Sequence, residues 1–388
     1  MTLDRRTFLA TAAASTLAGL AGLAGLAAPA VLRGQAAEGD DRTVGFAVIG
    51  LGSFAINQML PAFAQCRHAR PTALVTGDPD GKGRRVAERY GVDPKRVVTY
   101  DRIGELAGDP AVQVGYVVTP TGLHARDTLA CFDAGLHVLC EKPMAGSVEE
   151  CDAMIGRAEE VGRRLMVAYR VHYEPFNRTA MKFAEEEEFG ATRHVAGQIS
   201  YPMSGEPTWR NDPELAGGGG PLMDLGIYTL QAQLYNTPQT PVRVTGVTHR
   251  PEGSPLFPEG IESRCSWTIE FDGGATATGM TGYDLASTNR YRVTQASGFY
   301  ELDPATGYSG RRLFTKPRGG RLAEVPMDDL PTEFTRGFTN QFAAELDHMA
   351  TCVLDDEEPK TPGAMGRRDV RLMKAIYESA ATGRPVEV

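Results

Sequence analysis

The chain has 388 residues, 42% of them hydrophobic and 23% charged, and a formal net charge of −9. That length accommodates roughly two or three domain-sized units with real cores. The acidic balance offers no basic stripe for phosphate backbones, which argues against nucleic acid and anionic membranes as partners.

At the start, Asp4-Arg5-Arg6-Thr7-Phe8-Leu9 leads into an Ala/Leu/Gly stretch that runs to Ala28 and exits at Ala28-Pro29-Ala30. Weakly apolar small residues behind two arginines read as a cleaved export signal over residues 1–37, and the pattern is similar to a twin-arginine signal. An uncleaved N-terminal anchor is the alternative reading. Export by that route makes the twin-arginine machinery a partner and the periplasm the destination. Residues 38–42 form a polar arm.

From Thr43 the apolar strand 44–49 meets Gly50-Leu51-Gly52 and then a segment with helical spacing at Ile56, Met59, Leu60 and Phe63. Strands at 72–76, 97–98, 114–118 and 137–140 alternate with helices. This is the pattern of a doubly wound parallel sheet, a Rossmann domain over 43–168. Beyond it the texture changes to Thr-, Val- and Tyr-rich stretches at 194–201, 242–249, 262–271, 275–283 and 291–302. Alternation such as Cys265, Trp267, Ile269 and Phe271 predicts half-buried, mostly antiparallel strands. Helical spacing returns at 338–352 and 368–382. The fold class is thus α/β, with a second α+β domain over 169–388 built on a large, mostly antiparallel open sheet. Six scattered cysteines show no CxxC or Cys/His cluster, so free buried thiols and no metal site are expected.

Gly50-Leu51-Gly52-Ser53-Phe54-Ala55 fits G-x-G-x-x-A between a strand and a helix. Gly50 permits the tight turn, Gly52 lets a pyrophosphate approach the backbone, and Ala55 keeps helix and strand close. The next strand ends at Thr76, where an NAD enzyme presents a carboxylate to the ribose. Thr76 has no charge to repel a 2′-phosphate, and Lys82, Arg84 and Arg85 follow, so NADP is favoured over NAD. Asp78 either caps the helix that begins at Pro79 or binds ribose, which keeps NAD open.

Cys140-Glu141-Lys142-Pro143 lies at the carboxyl edge of the sheet, where a lysine beside a nicotinamide can stabilise a developing alkoxide; the plain alternative is a surface ion pair. Further on, Gly217-Gly218-Gly219-Gly220 joins a helix carrying Asp224 and Tyr228. Four apart, these two share a helix face and can point into one cleft, or the segment is only a hinge and an amphipathic helix.

Taken together, the glycine loop, Glu141-Lys142-Pro143 and Asp224-x-x-x-Tyr228 resemble the glucose-fructose oxidoreductase/inositol dehydrogenase/MocA family. The likeness also covers 60–64, 168–173, 303–308 and 369–372, and is nearest to the glucose-fructose oxidoreductase branch, where tyrosine replaces a histidine common at position 228. The resemblance implies a captive NADP, an open sheet used for homo-oligomerisation as dimer or tetramer, and sugar substrates. It implies Lys142 and Tyr228 as the proton-handling pair and Asp224 as a sugar ligand. It also places Thr119, Pro120, His124, Glu141, Arg170, Tyr173, Trp209 and Arg210 near cofactor or sugar. The chain departs from the pattern at Thr121-Gly122, where relatives often have Asn-Ser, and at Gly81, where a lysine often meets the 2′-phosphate. The expected activity is NADP-dependent, ping-pong hydride transfer that oxidises an aldose to its lactone and reduces a second sugar. The rivals are an exported NAD-dependent glycosidase of the same family and a sugar-binding relative without chemistry.

Overall fold

The computed structural model of the chain describes residues 42–388. The export signal and all of the arm except Arg42 lie outside these residues. Six strands form the first sheet: β1 (Val44–Ile49), β2 (Ala69–Val75), β3 (Val97–Val98), β4 (Val114–Val117), β5 (His137–Glu141) and β6 (Leu165–Ala168). All neighbours are parallel, in the order β3-β2-β1-β4-β5-β6. The central strands are buried on both faces, which explains their unbroken apolar runs. The order reverses between β1 and β4, and that reversal opens a crevice at the carboxyl ends of the strands.

Nine strands make the second sheet: β7 (Thr192–Ser200), β8 (Pro241–His249), β9 (Arg264–Phe271), β10 (Thr276–Gly282), β11 (Thr288–Gln295), β12 (Gly298–Leu302), β13 (Leu313–Pro317), β14 (Ala323–Val325) and β15 (Val386–Glu387). Their order is β14-β13-β12-β11-β7-β10-β9-β8-β15, antiparallel everywhere except between β7 and β10. The expected alternation holds in β9, where Cys265, Trp267, Ile269 and Phe271 face inward and Ser266 and Thr268 face out. The β-rich stretch 291–302 is the hairpin β11-β12, turning at Ala296-Ser297. That turn carries none of the Asn-Gly or Asp-Gly chemistry that marks most tight hairpins, so no local signal announces it.

Helices α1 (His124–Asp133) and α2 (Val148–Glu160) flank the first sheet, and α3 (Pro175–Glu185) follows it. Helix α4 (Ile227–Tyr235) packs under β7 and β10. Near the C-terminus, α5 (Gln341–Asp355) sets Phe342, Leu346 and Met349 against Val44, Phe46 and Met59 of the first sheet's core. Helix α6 (Gly363–Thr382) runs along β8. Between them, Thr361 bonds Val167 of β6 twice, accepting from its N–H (2.8 Å) and donating to its carbonyl (2.7 Å). The last part of the chain therefore braces both sheets and fixes the crevice between them. All six cysteines are free and buried.

Three histidines tie this arrangement to pH. His137 Nδ1 accepts the N–H of Arg164 (3.0 Å) and His348 Nε2 accepts that of Lys360 (3.0 Å), bonds open only to a neutral ring. Burial pushes both down to about 4, and His172, wedged edge-on to Tyr235, down to about 3. A depressed histidine stabilises the fold above its unfolded value of about 6.5 and loses that contribution as pH falls through its folded value. Between pH 7 and 4 these histidines pull urea midpoints down as pH falls, against the opposite pull of buried carboxyls such as Glu345 that keep their proton in the fold. His348→Gln, which keeps an acceptor without a proton site, should remove about one proton from that slope; an unchanged slope would contradict the assignment.

Candidate active site

The crevice widens into a cavity of about 1370 Å³, larger than a typical single-ligand pocket and roomy enough for a dinucleotide with a sugar. At one end, Gly50 takes φ +104°, a left-handed conformation suited to glycine, and its N–H donates to the Val75 carbonyl (3.0 Å). A Cβ on Gly52 would meet no atom within 4 Å, so the backbone here is bare toward the cavity. Ser53 and Phe54 line the same wall, and buried Ala55 starts the helical segment 55–65 with a wide π-type turn (Ala55–Met59).

Thr76 is buried at the end of β2, and Asp78 is a cap. Its two carboxylate oxygens accept the N–H groups of Gly81 (2.9 Å) and Lys82 (2.8 Å). Those bonds, helped by Arg85 and Lys82, hold the carboxyl below its ordinary range. A Cβ at Gly81 would sit 2.6 Å from this carboxylate, so the tight cap and the missing lysine at 81 go together. Lys82 lines the cavity beside it.

Thr119, Pro120 and His124 form the next stretch of wall. His124 offers a ligand no free nitrogen: Nδ1 contacts the Pro143 carbonyl and Nε2 the Thr119 carbonyl, both at 2.8 Å, and the ring ties two wall segments together. Gly122 is glycine for a local reason, because any Cβ would overlap the Glu214 carbonyl; a serine there would force this wall apart.

At the far end the predicted catalytic residues converge. Lys142 Nζ donates to the Asp224 main-chain carbonyl (2.7 Å), lies 3.5 Å from Asp224 Oδ1 and 4.8 Å from the centroid of the Tyr228 ring. Asp224 sits in a π-type turn (Leu222–Gly226) that runs directly into α4, and such turns recur at functional sites. Its Oδ2 accepts from Arg210 Nε (2.8 Å) and Tyr283 Oη (2.7 Å). Burial alone would raise the Asp224 carboxyl, but Lys142, Arg210 and Tyr283 hold it well below the carboxylate range. Burial also works to lower Lys142, and Tyr228, Asp224 and Glu141 outweigh it, so the ammonium persists. Trp209 carries the Arg210 guanidinium on its ring at 4.4 Å, which puts both residues at the Asp224 end.

Arg170 reaches the cavity wall, but its guanidinium is committed elsewhere. It donates to Tyr228 Oη (3.1 Å), Gln341 Oε1 (2.8 Å) and the Thr306 carbonyl (2.6 Å). Its role is to position Tyr228 and add a second cation beside the phenolic oxygen. Tyr173 corrects the expectation made for it: it is buried in the core with its hydroxyl toward Met166 Sδ, away from the cavity. Glu141 accepts from Tyr116 Oη (2.7 Å) and the Lys142 N–H (3.2 Å).

Several partners were not foreseen. Tyr283 holds Asp224 from the far end of β10. Glu262, buried, accepts the N–H groups of Gly220 (2.7 Å) and Leu222 (2.9 Å) and the hydroxyl of Tyr377 (2.9 Å), fastening the glycine run to the turn that bears Asp224. Glu345 lies behind Glu141; burial and that neighbour raise it well above the carboxyl range, so it keeps its proton.

Residues 44–169 match the model of an oxidoreductase family with an NAD-binding Rossmann fold, and residues 177–301 match the GFO/IDH/MocA C-terminal domain. The crystal structure of aldose-aldose oxidoreductase from Caulobacter crescentus complexed with glycerol is 37% identical, covers 89% of this chain and all of that one, and superposes with a TM-score of 0.84. D-xylose 1-dehydrogenase (NADP(+)) 2 of Haloferax volcanii is 29% identical over 88% of this chain and 99% of its own length. D-xylose 1-dehydrogenase [NADP(+)] of Haloarcula marismortui is 27% identical over 90% and 94%.

Proposed function

The chain belongs to the GFO/IDH/MocA family of oxidoreductases, and on that premise we propose that it is an NADP-dependent enzyme that moves hydride from one sugar to another. One observation carries this reading: Lys142, Asp224 and Tyr228 meet at one end of the cavity whose other end is the tight turn at Gly50 and the bare backbone of Gly52. The names of the similar aldose-aldose oxidoreductase and D-xylose dehydrogenases agree with it.

A nucleotide held along Gly50, Gly52 and Lys82 would supply hydride acceptance and donation, which oxidation of an aldose at C1 and reduction of a second sugar require. The chain's own residues handle the rest. Asp224 Oδ1, which among the described residues has Lys142 Nζ at 3.5 Å as its partner, accepts a sugar hydroxyl. Tyr228 Oη takes the proton of the anomeric hydroxyl as the lactone forms, and later returns one to the reduced sugar. Lys142 and Arg170 stabilise negative charge on the phenolic and sugar oxygens as it develops. Thr76 is uncharged, both oxygens of Asp78 are engaged in its cap, and Lys82 and Arg85 set positive charge against that carboxylate, which favours NADP.

Retention of the nucleotide through both half-reactions follows from destination. Asp4-Arg5-Arg6 and the stretch behind it support twin-arginine export to the periplasm, where free nicotinamide cofactor is scarce and a captive one must be recharged in place. The open face of the nine-stranded sheet is the surface proposed for association into a dimer or tetramer. The test is to purify the exported protein, read its N-terminus, and identify its nucleotide by mass. The expected outcome is a chain that starts near residue 38, carries NADP, is reduced by an aldose alone and reoxidised by a second sugar. Protein that arrives empty and needs added NADP at each turnover overturns the scheme.

A further inference from the structure

Three aromatic rings from three distant stretches meet beside the cavity. Phe54 of the glycine loop and Phe342 of α5 pack edge to face at 5.7 Å, Tyr308 and Phe342 do so at 5.3 Å, and Phe54 and Tyr308 are 6.3 Å apart. Phe342 is buried, whereas Phe54 and Tyr308 line the cavity. Tyr308 is unusual for a large aromatic side chain, because 52% of it is exposed.

The loop that carries Tyr308 is held in place at many points. Arg170 bonds the Thr306 carbonyl (2.6 Å), Asn289 accepts the Thr306 N–H (2.9 Å), and Asn177 bonds the Ala305 carbonyl (3.0 Å). Gln341 reaches the carbonyl of Tyr308 itself (3.3 Å), and a buried pair, Arg311 with Glu174 (2.8 Å), anchors the far side. A fold that fixes this backbone so firmly and leaves the ring half in water has presented the ring to something. Its position says to what: Tyr308 lies 5.0 Å from the Arg170 guanidinium that bonds Tyr228, and its other neighbour, Phe54, belongs to the nucleotide loop.

We propose that Phe54 and Tyr308 form an aromatic clasp over the stretch between the glycine loop and Tyr228, and that this clasp sets how slowly the dinucleotide leaves. The proposal rests on the captive-cofactor reading above. The two rings, backed by Phe342, give a flat apolar cover under which a nicotinamide and its ribose are shielded from water, and departure requires the rings to part.

The test measures release and not turnover. Wild type, Tyr308→Ala, Tyr308→Phe and Phe54→Ala are loaded with NADPH, freed of excess, and mixed with a large surplus of unlabelled NADP while the fluorescence of bound NADPH is followed. Melting curves at saturating NADP check folding. Tyr308→Ala and Phe54→Ala are expected to release the nucleotide about tenfold faster or more, and Tyr308→Phe to stay within about twofold of wild type, because the ring and not the hydroxyl forms the cover. Release from Tyr308→Ala at the wild-type rate, or from Tyr308→Phe as fast as from Tyr308→Ala, overturns the clasp. A wild type that sheds its nucleotide within seconds contradicts the captive reading instead, and the ratio of variant to wild type still decides the clasp.

Discussion

Tyr228→Phe is expected to lower kcat for sugar oxidation by about 10²–10⁴-fold, the usual worth of a positioned proton carrier. The substitution removes one oxygen and leaves the ring between Lys142 and Arg170, so the cavity keeps its shape. Tyr283, the tyrosine bonded to Asp224, cannot take over. Tyr283 donates its proton to Asp224 at 2.7 Å, and burial together with that carboxylate pushes its own ionisation well up. The loss should fall on kcat and only weakly on KM, because the missing interaction matters when the anomeric proton moves. Single-turnover reduction of bound nucleotide by an aldose reads the effect, with nucleotide content by mass as the control. A variant that turns over within tenfold of wild type would remove Tyr228 from the proposed chemistry.

Lys142→Met is expected to cost about 10²–10³-fold in kcat by removing the ammonium beside the reacting oxygens. Asp224 should survive the change as a carboxylate, since Arg210 and Tyr283 still engage its Oδ2. Lys142→Arg should not rescue it. The lysine serves as a compact charge wedged between a main-chain carbonyl at 2.7 Å and an aromatic face, and a planar guanidinium does not fit that geometry. Partial recovery of Lys142→Ala by millimolar alkylammonium ions, with none for Tyr228→Phe, separates a charge requirement from a folding defect. Equal recovery of both, or of neither, would contradict the role given to the lysine.

What the sequence disclosed was local, and what it hid was long-range. The glycine turn at Gly50, the strand-end Lys142 and the Asp224/Tyr228 pair are each written within a few residues, where spacing and strand-to-turn context can be read. The cap made by Asp78 was legible for the same reason. Tyr283 and Glu262 were not, because their meaning depends on sheet register. Tyr283 follows β10, and β10 comes to its place through a parallel pairing with β7 that no periodicity announces. Glu262 looks like any loop carboxylate until the fold brings the Gly220 and Leu222 amides to it. Arg170 and His124 were found at the cavity wall, but that their polar atoms bond Tyr228, Gln341 and main-chain carbonyls depends largely on residues far away in the chain.

Isotope transfer tests the central claim most directly. The purified protein is given an aldose deuterated at C1, a second sugar, and a surplus of unlabelled free NADPH, and the reduced sugar is analysed by mass. Hydride passed through a nucleotide that never leaves the cavity between Lys142 and Tyr228 puts the deuterium into the reduced sugar undiluted. Deuterium diluted toward the composition of the free pool would show a nucleotide that exchanges at every turn, and the account would fail at its core.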